Sequence, residues 1–275
     1  MRMNLSAGPQ AGFTLLELAL VLAILGMLTL LATREIGQVQ DQQRFEASQR
    51  GLETIRDAVL GAPDDRAPDG SGVRAGFVAD VGRLPDRLDE LWTNATGMLA
   101  FDLRPGVGDA DVRVPGGWRG PYVRLPWKAA SLLDGWGNAY TDCWESGIWQ
   151  VGHWGADGMP GGTNGYDEDV ELEFAGSDTN AWAWGQVAVN TNLLAFGACT
   201  VRVRVFRSDG TCDDGISGLA VGAGTNVVPW SSAAPVSIGV RPVRAYLEGA
   251  ATNRSAVRYV ALRPGTNGPV CLEIN

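Results

Sequence analysis

The chain has 275 residues, 45% of them apolar, which is enough to build a folded core in one or two domains. Its formal net charge is -9 and its 22 basic residues are scattered, which argues against a nucleic-acid-binding surface. His153 is the only histidine, so zinc sites made of several histidines are excluded. Phosphate-loop and nucleophile-elbow motifs are absent from the sequence. We therefore predict no catalytic residues and a protein that is not an enzyme.

An apolar segment begins close to the N-terminus. Sixteen of the twenty residues from 13 to 32 are apolar, and a helix of about 20 such residues spans roughly 30 Å of hydrocarbon. The run is longer than the apolar core of a secretory signal peptide and continues into a polar segment without a small-residue cleavage site. We expect it to remain in the mature chain as a membrane-spanning helix, with an ordinary signal anchor as the alternative.

Glu17 lies inside this apolar run. A carboxylate in a membrane segment is costly and usually marks a functional position. Cleavage after Gly12 would make Phe13 the new N-terminus, and its amine would be a cation. Glu17 of one subunit would then pair with the amine of a neighbour, which neutralises two charges in apolar surroundings.

The residues around this position resemble a known processing signal. A short leader followed by the run Gly12–Leu18 is similar to the class III prepilin signal of type IV pilins and type II secretion pseudopilins. The resemblance implies that a prepilin peptidase cuts after Gly12 and methylates Phe13, and that Phe13, Thr14 and Glu17 act in filament assembly. It also implies an inner-membrane platform protein and an assembly ATPase as partners. The precursor would pass once through the bacterial inner membrane and end in a periplasmic or extracellular filament of similar subunits.

The helix is predicted to continue beyond the apolar run. Residues 34–60 carry apolar residues on a loose helical stripe, and Gly61, Ala62 and Pro63 end the pattern. The first half would pack on other copies and the second half on a globular head. The chain divides into a leader (1–12), an N-terminal helix (13–62), a pilin-like head (63–174) and a C-terminal extension (175–275).

The head contains several short motifs followed by an acidic loop. The motifs lie at residues 82–85, 134–140 and 155–158, and the loop ends near residue 170. Their order resembles the head of the major pseudopilin of type II secretion, over roughly residues 12–172. That resemblance implies a small antiparallel sheet and a calcium ion bound in the last loop.

Calcium binding also has a basis in the residues themselves. Four acidic residues fall within thirteen positions of this loop, and its glycines allow backbone carbonyls to turn inward. Calcium takes about six to eight oxygen ligands from carboxylates and carbonyls. The resemblance points to Asp157 and Asp169 as ligands, with Asp167 as the third carboxylate. A solvated acidic turn is the alternative, because the spacing differs from the family pattern and no EF-hand register is present.

Residues 175–275 extend beyond the part that resembles the pseudopilin head. Alternating apolar and polar segments separated by turn signals predict antiparallel strands, for example at residues 199–206. We interpret this extension as a small β-sandwich, weakly similar to transthyretin-like or immunoglobulin-like modules.

The four cysteines are isolated in the sequence. In an exported chain they predict up to two disulfides, with the connectivity open and buried free thiols as the alternative. These disulfide candidates are Cys143, Cys199, Cys212 and Cys271.

The sequence thus predicts an α+β protein: a long N-terminal helix on a small antiparallel head with a calcium loop, followed by a β-sandwich. The predicted function is a structural pilin or pseudopilin subunit that polymerises into a helical filament. One alternative is a type IV pilin for adhesion or DNA uptake. Another is a membrane-anchored binding module whose C-terminal β-domain binds a partner.

Overall fold

A single long helix, α1, occupies Leu15–Leu60. At about 1.5 Å per residue it is roughly 70 Å long. Gly61 ends it with φ 85°, a backbone conformation that side-chain-bearing residues rarely adopt. The predicted end of the helix is therefore confirmed. The computed structural model describes residues 14–62, 76–94, 96–162, 165–190, 199–217, 219–220, 225–248 and 250–274.

The remaining helical elements of the described residues are short. They are α2 (Phe77–Val81), α3 (Gly176–Thr179) and two 3-10 turns at Leu88–Leu91 and Gly165–Asp167. The turn at Leu88–Leu91 follows Pro85 and buries Leu88 and Leu91. Both leucines therefore face the interior of the protein.

The head contains two small antiparallel sheets. The first sheet is a hairpin of two strands. The second is a meander of three strands that lie side by side in chain order. Their strands are β1 (Asp102–Gly106), β2 (Asp109–Gly116), β3 (Thr141–Glu145), β4 (Ile148–His153) and β5 (Val170–Phe174).

Strands dominate the C-terminal region. They are β6 (Asn180–Trp182), β7 (Trp184–Asn190), β8 (Cys199–Phe206), β9 (Cys212–Ser217), β10 (Leu219–Ala220), β11 (Thr225–Ser231), β12 (Val236–Ser237), β13 (Gly239–Leu247), β14 (Ala250–Arg254), β15 (Arg258–Leu262), β16 (Gly265–Thr266) and β17 (Val270–Ile274). In β8 the valines are buried and the arginines between them face outward, because successive side chains of a strand point to opposite faces.

Most of these strands join one large sheet. Its order is β14-β13-β8-β9-β11-β7-β17, with β10 beside β8 and β15 beside β13. Neighbours in it are antiparallel except β17, which runs parallel to β7. A smaller sheet has the order β12-β6-β16. The predicted strand content of the extension is confirmed.

One apolar core connects the helix, the head and the C-terminal sheet. Ile55 of α1, Trp149 of β4 and Val203 of β8 belong to the same cluster of buried residues. A second cluster joins Val112 and Val114 of β2 to Phe206 of β8. The extension is therefore packed against the head over a shared interior.

A buried carboxylate reinforces this junction. Asp109, at the start of β2, accepts hydrogen bonds from Arg244 at 2.9 Å, Tyr246 at 2.7 Å and Arg254 at 3.2 Å. All three donors lie on β13 and β14, so a single head residue ties the hairpin to the large sheet.

Candidate functional site

The start of α1 carries the predicted assembly residues that the structure describes. Thr14 is the N-cap, and its hydroxyl accepts a hydrogen bond from the Glu17 backbone N–H at 3.2 Å. Glu17 lies in the first turn, where a negative charge interacts favourably with the helix dipole. Gly12 and Phe13 lie outside the described residues.

The first four turns of α1 expose apolar side chains in every direction. Leu15 is 86% exposed and Leu30 is 75% exposed. A helix that is apolar all round is normally buried by lipid or by other protein. The large exposed apolar residues are Leu15, Leu16, Leu18, Leu20, Val21, Leu22, Ile24, Leu25, Met27, Leu28 and Leu30.

Among the described residues, no helix combines the length and the apolar character that a membrane span requires.

The second half of α1 is fixed to the head around Ser48. The Ser48 hydroxyl accepts a hydrogen bond from the Gly135 N–H at 2.9 Å, and its carbonyl accepts one from the Tyr140 hydroxyl at 2.7 Å. Further along the helix, Leu52, Ile55 and other apolar residues are buried. The helix therefore has one free half and one half held by the head.

The acidic loop touches the helix near this point. The Tyr166 hydroxyl donates to the Gln42 side chain at 3.0 Å, and the Tyr166 ring packs on Phe45 with centroids 6.0 Å apart. Neither contact was predicted from the sequence, because the residues lie far apart in the chain. These contacts place the acidic loop against the part of α1 where its packing on the head begins.

Within the loop, the predicted calcium ligands have different surroundings. Asp157 is exposed, and its carboxylate accepts from the Met159 N–H at 2.9 Å. Asp169 accepts from the Gly161 N–H at 2.7 Å through one oxygen, while its other oxygen is buried without a hydrogen-bond partner. Asp167 is exposed, and its backbone carbonyl lies against Gly155 and Gly162.

The fit of this loop to calcium depends on Asp169. A buried carboxylate oxygen without a partner is costly, and a cation would satisfy it. Among the residues that the structure describes, no three His, Cys, Asp or Glu side chains are arranged to hold a metal ion. The structure therefore does not bring the three predicted carboxylates together, and a calcium ion here would need backbone carbonyls as further ligands.

A buried polar group beside the loop was not predicted from the sequence. Asp134 accepts hydrogen bonds from the N–H groups of Trp136 at 2.9 Å and Asn138 at 2.8 Å. The local signal was the motif at residues 134–138, which is typical of an Asp-led turn. His153 is buried behind it, and its Nδ1 accepts from the Gly155 N–H at 3.3 Å. Burial lowers the pKa of His153, and this outweighs the opposing charges of Asp134 and Asp169.

The described cysteines form no disulfide with one another. Cys143, Cys212 and Cys271 are free thiols, and the side chain of Cys199 lies outside the described residues. Cys143 contacts the side-chain oxygen of Gln150 at 3.4 Å, whereas Cys212 contacts the carbonyl of Val107 at 3.8 Å. Each of these two thiols thus has its own polar neighbour, and the predicted bridges are not formed among the described thiols.

Comparison with known proteins identifies relatives of this chain. The family described as the prokaryotic N-terminal methylation motif matches residues 8–33. The chain is 28% identical over 171 residues, covering 61% of this chain and 93% of the relative, to the type II secretion system core protein G of Xanthomonas campestris pv. campestris. No solved structure matches the chain.

These matches confirm the resemblance that the N-terminal residues predicted. The methylation motif, the apolar helix that starts within it and the β-rich head make the chain similar to pilin-like proteins. Within that class, the similarity to core protein G supports a filament subunit of the type IV pilin and pseudopilin family.

Proposed function

We propose that this chain is a structural, non-enzymatic subunit that polymerises with copies of itself or related subunits into a helical filament. The observation that carries the proposal is the free half of α1, which has apolar side chains on all sides and one acid in its first turn. In the filament this half is covered by the same half of neighbouring subunits. Burial of this apolar surface then offsets the loss of lipid contact.

Processing completes the assembly surface. In our proposal a prepilin peptidase cuts between Gly12 and Phe13 and methylates Phe13, and the new amine pairs with Glu17 of an adjacent subunit. The pair removes two unpaired charges from an apolar interior, so it favours one axial register over others. Thr14 supports this geometry because its hydroxyl caps the helix beside Glu17.

Assembly is tested by replacing the acid. Glu17→Gln and Glu17→Ala should leave the precursor in the membrane but reduce filament yield at least tenfold, because the neighbouring amine loses its counter-charge. Glu53→Ala is the matched control, since Glu53 is exposed on the same helix outside the apolar half. Filaments are quantified by shearing and electron microscopy, and N-terminal processing by mass spectrometry. Normal filament yield from both Glu17 variants would contradict the proposal.

Before assembly, the apolar half would cross the bacterial inner membrane once, and a platform protein and an ATPase would extract it. The filament would be periplasmic or extracellular, and the C-terminal strands would form a sandwich that covers part of its surface. The similarity to core protein G favours a secretion pseudopilus over a pilus for adhesion or DNA uptake.

We also propose that the acidic loop binds one calcium ion through Asp169 and backbone carbonyls of the loop, with Asp157 and Asp167 as candidates for the remaining ligand positions. The buried, unpartnered oxygen of Asp169 supports this proposal. Added calcium at a hundred times its dissociation constant should stabilise the fold by about 2.7 kcal/mol, raising Tm by several degrees.

Asp169→Asn should abolish this increase in Tm, whereas Asp86→Asn, at an exposed position outside the loop, should preserve it. The measurement is thermal unfolding with calcium, with magnesium and after chelation. An unchanged Tm on calcium addition to the chelated wild-type protein would refute the calcium site.

A further inference from the structure

Two strands of the large sheet have free edges in the described part of the chain. β15 pairs with β13 alone, and β17 pairs with β7 alone. In the residues that the structure describes, no backbone ladder joins β15 to β17. Each strand therefore presents a row of backbone N–H and C=O groups without strand partners, and such an edge is a template for an additional strand.

The two free edges line the same cleft. It has a volume of about 640 Å³ and is lined by residues 258–261 and 269–271, and also by residues 263, 264, 267 and 268 of the connection between β15 and β17. A smaller cleft of about 290 Å³ continues past Arg258 to Leu272 and Glu273. Successive side chains of a strand point to opposite faces, so a cleft lined by consecutive residues lies against the strand edges. We call the two clefts together the seam.

The side chains of the seam carry unpaired positive charge. Arg258 and Arg263 are exposed, and neither guanidinium has an ion-pair partner among the described residues. Other arginines of the same sheet, such as Arg202 and Arg204, are paired with carboxylates. Glu273 is the acidic residue that lines the seam. This locally positive surface stands out in a chain with a formal net charge of -9.

The seam offers few apolar contacts to a ligand. On β17 the apolar residues Val270, Leu272 and Ile274 are buried in the core, whereas Cys271 and Glu273 are exposed. Recognition here therefore relies on backbone hydrogen bonds and charge. In β15, the Tyr259 hydroxyl donates a hydrogen bond to the Arg113 carbonyl at 2.9 Å, and this bond fixes β15 to the head.

We propose that the seam binds an extended, acidic segment of a partner protein, which adds a strand between β15 and β17. The open edges select an extended backbone, since each unpaired group gains a hydrogen bond. Arg258 and Arg263 select carboxylates at positions along that strand. This activity goes beyond the filament function and does not depend on it, because the seam lies in the C-terminal sheet and the assembly surface lies on α1.

The test uses the full-length chain in detergent micelles and a fluorescent heptapeptide in which valine alternates with aspartate. A peptide with lysine in place of aspartate is the charge control. Fluorescence polarisation should show saturable binding of the acidic peptide and at least tenfold weaker binding of the basic one. Arg258→Glu and Arg263→Glu should each weaken binding of the acidic peptide at least tenfold. Arg124→Glu, at an exposed arginine outside the seam, should leave binding unchanged.

Hydrogen exchange distinguishes strand addition from simple charge attraction. When the acidic peptide binds, the backbone amides of residues 258–262 and 270–274 that face the seam should exchange at least tenfold more slowly, because they become hydrogen-bonded. The amides of these strands that already bond to β13 and β7 should change little. Thermal unfolding checks that each variant is folded.

Several results would overturn the proposal. These are no saturable binding, equal binding of the two peptides, unchanged affinity in both seam variants, or binding without amide protection. A peptide-independent dimer closed through the seam would also overturn it, since the occupant would then be a second copy. All of these readouts are separate from filament yield, so failure here leaves the assembly proposal standing.

Discussion

Asp109 shows how one carboxylate fixes the position of a whole region. Its side chain is 1% exposed and interacts with two arginines and a tyrosine. Burial by itself would raise the pKa of this carboxyl group. The hydrogen bonds from Tyr246 and the Asp111 N–H and the charges of Arg244 and Arg254 outweigh burial and hold its pKa below its usual value.

Removing this charge should be costly for stability. Asp109→Asn leaves Arg244 buried without its counter-ion, and we expect the free energy of unfolding to fall by about 3 kcal/mol. Asp111→Asn is the matched control, because Asp111 is exposed and binds the same Arg254; it should cost less than about 1 kcal/mol. Both values are measured by denaturant unfolding at neutral pH. Equal losses in the two variants would contradict the role of the buried pair.

The same pair gives a pH dependence of known sign. Because the folded pKa of Asp109 is lowered, its contribution is present above the unfolded value near 3.8 and is lost as the pH falls toward the folded value. Wild-type stability should therefore fall below about pH 4 more steeply than that of Asp109→Asn.

At the scale of the element, two of the three glycines of α1, Gly37 and Gly51, have opposite surroundings. A side chain at Gly51 would collide with the hydroxyl of Tyr140, which bonds to the Ser48 carbonyl. Gly37 has nothing within 4 Å of the same position. Gly51 is thus required for helix–head packing, whereas Gly37 only weakens the helix.

Alanine substitutions should separate these two roles. Gly51→Ala should destabilise the protein by about 1–3 kcal/mol, because Tyr140 must move. Gly37→Ala should stabilise the helix by about 0.5–1 kcal/mol, because alanine has the higher helix propensity. Denaturant unfolding, followed by circular dichroism, measures both. A stabilising Gly51→Ala would show that the helix does not approach the head this closely.

Elements with a strong local pattern were predictable from the sequence. The end of α1 at Gly61 and the strand Cys199–Phe206 follow from local residue patterns, and both are observed. The partners of Asp109 were not predictable, because Arg244 and Arg254 lie more than a hundred residues away in the chain. For the same reason, the pairing of β17 beside β7 and the seam next to it could not be derived from periodicity.

At the scale of the molecule, the shared core makes the head and the extension mutually dependent. Residues from α1, the head and the C-terminal sheet belong to one buried cluster. Separation would expose apolar surface on both sides, at about 25 cal/mol per Å². The sequence suggested a boundary near residue 175, but the interior continues across that position.

Truncation tests this dependence. A chain ending at residue 174 should lose cooperative thermal unfolding and aggregate, because its share of the core is exposed. A chain lacking residues 14–33 should unfold at an unchanged Tm, since the large apolar side chains described there are exposed and contribute no buried surface to the shared core. Differential scanning calorimetry compares the two. A residue-174 truncation with a wild-type Tm would show that the head is independent.

The attachment of α1 at Ser48 has a consequence for the direction in which Glu17 points. At roughly 100° per residue, the unbroken helix places Glu17 about 220° around its axis from Ser48, so the acid points away from the side that faces the head. Deleting one residue between them would swing the acid by about 100°. Deleting seven would return it to within about 20° and only shorten the spacing. The direction of the Glu17 charge around the helix axis is therefore set by the number of residues between Glu17 and Ser48.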